Sequence, residues 1–388
     1  MDYQAKLKER IEIFDDAVRM TKRPKRVPFV TNDAFWRYYD LGYKLSGALL
    51  NSKSIEDVLV EFQHRYEFDL FLDIGDRNPL QMTRSLGNYE YNIDDKNNTL
   101  ILKEQCFFME EDYDEFVENP VKTLWENILP RKYSLFTPEM DVKIISNTLT
   151  KFLEYNQAMA HTVKRLIDEC GVPPIFDEEN GAKIFPAFEC LYNFLRGMKG
   201  LSHDLRRCPE KVEKFSEVFH DKYVKHSIQN IKTPEDITSC FTVFTIMLSQ
   251  NMINAKQFEK FYWPHFKEIA DKVVETNNTM FILSEGTTKH VTEYLQELPK
   301  GHFCFYIEAD DIFEARKRLP NIAFWGGLPL DIIANGTKQE CIDYAKKVID
   351  EVGRDGGLVL STSRFTTSPK DCNRENLLAV SEFVRNYN

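Results

Sequence analysis

The chain has 388 residues, 43% of them hydrophobic, enough to bury a large core as one α/β domain or as two smaller ones. Its 61 acidic against 50 basic side chains leave a net charge of -11, which argues against a nucleic-acid partner and against an anionic membrane surface. No stretch reaches the ~18 apolar residues that a membrane span needs, and the opening MDYQAKLKERIEIFDDAV is charged and amphipathic without an apolar signal core, so a cytoplasmic protein is expected. Its eight cysteines are scattered with no CxxC pair, which predicts buried free thiols rather than a disulfide framework.

In chain order, residues 1–25 read as a helix ending in a basic segment. VPFVT (27–31) then reads as a short strand running into polar Asn32 and Asp33. FDLFLDIGDRN (68–78) is a second strand, with Asp73, Asp76 and Arg77 at and just beyond its C-terminal end. The alternation of residues 85–108 about DDKNN predicts a β-hairpin. From about 110 to 175 the pattern is helical, with a long helix from about 138 to 170, and this insert is expected to cap the site.

The second half is more regular. IFPAFEC (184–190), MFILSEG (280–286), HFCFYIEADD (302–311), IAFWGG (322–327) and GLVLSTS (357–363) each read as buried strands, and helix-like segments separate the last four. Strand–helix alternation at this spacing predicts a parallel sheet, and polar residues at strand ends favour its closed form. The expectation is therefore a single α/β domain spanning 1–388, a (β/α)8 TIM barrel with β-hairpin and helical insertions around 80–175.

In such a barrel, chemistry sits at the C-terminal strand ends. MFILSEG ends in Glu285 followed by Gly286, whose missing side chain permits close approach to the backbone. In HFCFYIEADD the period of two puts His302, Cys304, Tyr306 and Glu308 on one face, with Glu308 at the mouth. Two carboxylates on consecutive strands can share a cation or divide acid and base work, and the plainer alternative is that each pairs with a loop Arg or Lys. Asn32, Asp76, Arg77 and Arg364 are candidate substrate-binding residues. His290 is a candidate ligand or proton carrier, while His203 and Cys304 read as structural. The helical spacing of Phe258, Phe261, Tyr262 and Phe266 predicts a core face.

Several segments together resemble the uroporphyrinogen-decarboxylase superfamily. GGLPLDIIANGTKQECIDYAKKVIDEVGRDGGLVLSTS followed by ENLLAVSEFVRNY is similar to its closing quarter, and INAKQFEKFYWPHFKEI and RGMKGLSHDLRRCPEKV are similar to two upstream segments. PKRVPFV fits the amino-terminal strand. The decarboxylase itself carries an RQAGRY-type motif near its first strand, where this chain has TNDAFWRYYD, so porphyrin decarboxylation is not expected.

The methyltransferase branch fits better, in particular the methyltransferase component of aromatic methyl-ether O-demethylases. Its thiol-alkylating members carry an H-x-C-G zinc motif where this chain has Leu283-Ser284-Glu285-Gly286, and a further Cys where it has Ser361-Thr362-Ser363-Arg364. The resemblance therefore implies transfer of a methyl group from a small methyl ether to the cobalt(I) of a corrinoid protein, in an anaerobic setting. Zn²⁺ on Glu285 and Glu308 would be the Lewis acid, since oxygen ligands leave zinc more acidic than thiolates do. A homodimer is a candidate assembly. The alternatives are a metal-free decarboxylase or lyase on the same barrel, and a non-catalytic corrinoid- or ligand-binding protein.

Overall fold

The computed structural model describes residues 2–72, 80–104, 106–176, 181–234 and 239–387. Eight strands occur in chain order: β1 (Tyr91–Asp94), β2 (Thr99–Leu102), β3 (Ala182–Lys183), β4 (Val243–Met247), β5 (Met280–Ser284), β6 (Phe303–Ile307), β7 (Ala323–Leu328) and β8 (Leu358–Thr362). β3 to β8 form one parallel sheet in sequential order.

Three further extended segments close that sheet into a ring. Val30 donates to the Leu360 carbonyl at 3.1 Å and Leu360 to that of Pro28 at 2.9 Å, which sets residues 27–33 beside β8. Asp69 N–H reaches Phe29 O at 2.9 Å, and Phe71 bridges Pro174 in parallel. Phe241 N–H then meets Ile175 O at 2.8 Å, which returns the chain to β4. Counting Pro174–Phe176 and Ala182–Lys183 as one position, the described residues supply eight members of the ring, the expected (β/α)8 barrel.

Side-chain alternation sorts two cores. Phe281 and Leu283, Cys304 and Tyr306, Ala323 and Trp325, and Val359 point into the barrel, where Phe14 and Val18 of the helix Tyr3–Arg19 join them. Met280 and Ile282, Phe303 and Phe305, and Leu358 and Leu360 face the outer helices. Asp2 caps that first helix by accepting from Gln4 and Ala5 N–H groups, and Gly357 N–H donates to Ala17 O at 2.7 Å. The helix therefore plugs the N-terminal end of the barrel and leaves the C-terminal end as the mouth.

Three expectations need correction. IFPAFEC is not a strand: pairing stops at Lys183, and Pro186, with no N–H to give a ladder, starts a helix at Ala187. VFTIM, not recognised as a strand from sequence, is β4. The helix Val142–Arg165 does not cap the mouth; Tyr155 and Met159 pack it on Ile55 and Leu59 of the outer helix Ser52–Tyr66. The hairpin β1–β2 is as expected, and its Tyr91 is the insertion residue within electrostatic reach of Glu285. No helix among the described residues is long and apolar enough to cross a membrane.

Candidate active site at the barrel mouth

Continuing the inward faces of β5 and β6 by one step places Glu285 and Glu308 side by side at the mouth. Glu308 accepts from the backbone N–H of Gly286 at 2.7 Å, and Ala309 N–H donates to Gly286 O at 3.3 Å, so the two strand ends are tied together. Burial, and then the charge of Glu308, pushes the Glu285 carboxyl above its ordinary range. No described Lys or Arg forms an ion pair with either acid.

Gly286 has φ +74°, and a Cβ there would lie 2.2 Å from Asn251 Oδ1. The close approach that requires glycine is thus made by the protein itself. The Nδ2 of Asn251 and the Nε2 of Gln250 each donate to the Glu285 carbonyl at 2.6 Å. Both residues follow β4, and their loop is held in turn by Glu189. That buried carboxylate accepts from Ser249 Oγ at 2.6 Å, from the N–H groups of Leu248 and Ser249, and from Asn193. Burial nevertheless pushes Glu189 up to about 7.

Beyond β6, Asp310 accepts from Thr287 Oγ1 at 2.6 Å and from Thr288 N–H at 2.9 Å, and pairs with Arg318 at 3.3 Å. Burial opposes its charge, yet these hydrogen bonds hold its carboxyl below the usual range. Asp310 thereby locks the loop carrying Glu285 to the loop carrying Glu308.

Tyr306 sits beneath the acids. Burial, then Glu308 and Glu285, raise its hydroxyl pKa, with Arg364 acting in the opposite sense. Its OH donates to Ser363 O at 2.9 Å. Asn32 is fully buried: its amide donates to Thr362 O and its Oδ1 accepts from Trp325 Nε1 at 2.6 Å. Arg364 is exposed and lines a cleft of about 480 Å³ together with Glu308, Asp311, Asp331 and Tyr344. Asp76 and Arg77 lie outside the described residues.

His290 Nε2 lies 2.9 Å from Gln250 O, an anchor for the same loop. Cys304 is buried inside the barrel, and burial pushes its thiol up, as expected of an inert thiol. Phe258, Phe261, Tyr262 and Phe266 are all buried in the outer core. Glu189, Gln250 and Asn251 were missed from sequence because β4 was not recognised, so nothing marked its end as part of the mouth.

Two inward carboxylates with no cationic partner suit a cation with oxygen ligands. Catalytic zinc takes three protein ligands, however, and no third His, Cys, Asp or Glu among the described residues joins this pair. The one such triplet among them, Glu110, His203 and Asp204, is poor in free oxygens: both Asp204 oxygens accept from Arg196, at 2.6 and 2.9 Å.

Residues 191–387, just over half of the chain, match the family model of uroporphyrinogen decarboxylase. The chain belongs to this family. No curated protein sequence matches it. Among solved structures, a methyltransferase from Methanosarcina mazei is similar over 97% of this chain and 98% of that one, with a TM-score of 0.62 and 10% identity, a likeness of fold. The uroporphyrinogen-decarboxylase family segment RGMKGLSHD acquires a physical reason here, because its Arg196 and Asp204 form the bidentate pair just described, with Tyr113 OH also donating to Asp204 at 2.9 Å. Arg37 of TNDAFWRYYD, in the short helix Trp36–Asp40, is buried and paired with Asp33.

Proposed function

We propose that this chain is a methyltransferase that takes a methyl group from a small, aromatic O-methyl compound and delivers it to the cobalt(I) of a separate corrinoid protein. The observation that carries this reading is the pair Glu285 and Glu308, tied together through the Gly286 N–H, without a cationic partner among the described residues, and set over Tyr306 at the barrel mouth. In the reaction the cobalt(I) electron pair forms the new bond to the methyl carbon while the carbon–oxygen bond breaks and its electrons remain on the leaving phenolate. An electrophile must act at that oxygen, because an unassisted oxyanion leaves poorly.

Glu285 and Glu308 are half-buried side by side, and a bound cation or a proton on Glu285 relieves the repulsion between them. With a further ligand, Glu285 and Glu308 would hold Zn²⁺, which would supply Lewis acidity for the departure of the oxygen. Asp310 and Asn251 fix the loops that aim the two acids, Tyr306 floors the site, and Arg364 stands at the rim for an anionic substituent of the donor. The absence of a third ligand among the described residues favours a second reading, in which the pair shares a proton and needs no metal.

Elemental analysis of wild type beside Glu285→Gln and Glu308→Gln separates the two. About one zinc per chain, lost in both variants, supports the metal. A metal-free protein that transfers methyl groups supports the shared proton, and one that releases no demethylated product contradicts methyl transfer.

A further inference from the structure

A larger cavity, about 660 Å³, lies away from the acid pair and is basic. It runs along the helix Gly197–Arg207 and is lined by Glu104, Arg196, Lys199, His203, Arg206 and Arg207. Lys199, His203, Arg206 and Arg207 follow an i, i+4, i+7, i+8 spacing, one exposed helix face. Arg196 can lie flat along the wall because the next turn carries Gly200, where a Cβ would meet its guanidinium at 2.9 Å.

On this face His203 lies 4.0 Å from Glu110 and 3.6 Å from Asp204, and the other cations are not paired by described residues. Arg196 is spent on Asp204, and Glu104 caps the helix by accepting from Met198 N–H at 2.9 Å. Lys199, Arg206 and Arg207 form no ion pair with any described residue, although most basic side chains of this acidic chain are paired. Three free cations focused in one concavity give a local positive field on a molecule of net charge -11.

We propose that this groove binds a small organic polyanion, carrying phosphate or clustered carboxylate groups. The rise from Lys199 to Arg207 is about 12 Å, so the ligand must place negative groups along that length rather than at one point. Concavity and size favour a small molecule, since pockets of ~300–1,000 Å³ are typical for such ligands whereas an acidic protein surface needs a flatter face. The site stands independently of the methyl-transfer reading.

The test is calorimetric titration of the full chain at low salt with inorganic triphosphate, orthophosphate and an oligoglutamate peptide. The expected result is saturable binding of triphosphate, with Kd below about 1 mM, tighter than orthophosphate and weakened by added salt. In the double variant R206Q/R207Q, whose melting temperature should be unchanged, binding falls roughly tenfold or more as charge-assisted hydrogen bonds are lost. Absent saturation, or equal affinity in the variant, overturns the proposal. Oligoglutamate binding without triphosphate binding overturns it in favour of an acidic protein surface.

Discussion

Glu308 reaches across from β6 to hydrogen-bond the backbone N–H of Gly286, the residue that follows Glu285, at 2.7 Å. One acid of the pair thus fixes the backbone that carries the other. The turn is feasible only with glycine, at φ +74° and with Asn251 filling the space of a Cβ. Gly286→Ala should therefore cost more than the ordinary glycine-to-alanine change, about 2 kcal/mol or more, and should lower turnover by displacing Asn251 from the Glu285 carbonyl. Chemical denaturation and steady-state rates check the two effects separately.

Asp310 is the second tie between the same loops. Asp310→Ala releases Thr287 and Thr288 and strands Arg318, and an expected loss of about 2–4 kcal/mol follows from removing one partner of a mostly buried charged network. Loss of activity out of proportion to the loss of stability would show that the tie aims Glu285 and Glu308 as well as holding the fold.

The barrel floor makes a third prediction. Trp325→Phe keeps an aromatic ring but loses the five-membered half of the indole with the Nε1–H that Asn32 accepts, leaving a small void and a buried oxygen with one partner fewer. The cost should be about 1–3 kcal/mol by denaturant unfolding. Asn32 acts in this account by positioning Trp325 and the end of β8, so Asn32→Ala should weaken stability at least as much as it weakens substrate binding.

Glu189 predicts a pH dependence. Its carboxyl rises from an ordinary 4.5 to about 7 in the folded chain. Between those values the folded state keeps a proton that the unfolded state has lost, so stability falls as pH rises through that window, by an amount on the order of 3 kcal/mol. Glu189→Gln should flatten this slope, and melting temperatures from pH 4 to about pH 8 read it directly.

The legible part of the protein was its repetitive part. β5 to β8 are mainly apolar runs buried on both faces; the strand-end position of Glu285 and the period of two for Glu308 put both acids at the same mouth, where Glu308 bonds the Gly286 N–H. β4 escaped because Thr245 and the short span between a polar lead and SQN blurred the pattern, and IFPAFEC misled because its apolar residues serve a helix that begins after Pro186. The groove on Gly197–Arg207 was hidden for another reason: a run of cations shows its sequence spacing, but not that Asp204 is committed to Arg196 and Glu104 to the helix N-terminus.

The most direct test of the central claim follows the cobalt(I) absorbance of a reduced corrinoid protein mixed with this chain and an aromatic methyl ether, in single turnover. The account predicts that wild type consumes cobalt(I) with stoichiometric release of the phenol, and that Glu285→Gln and Glu308→Gln each slow this by about 100-fold or more while remaining folded. Equal rates in the variants, or no phenol from wild type with any methyl ether, would contradict it.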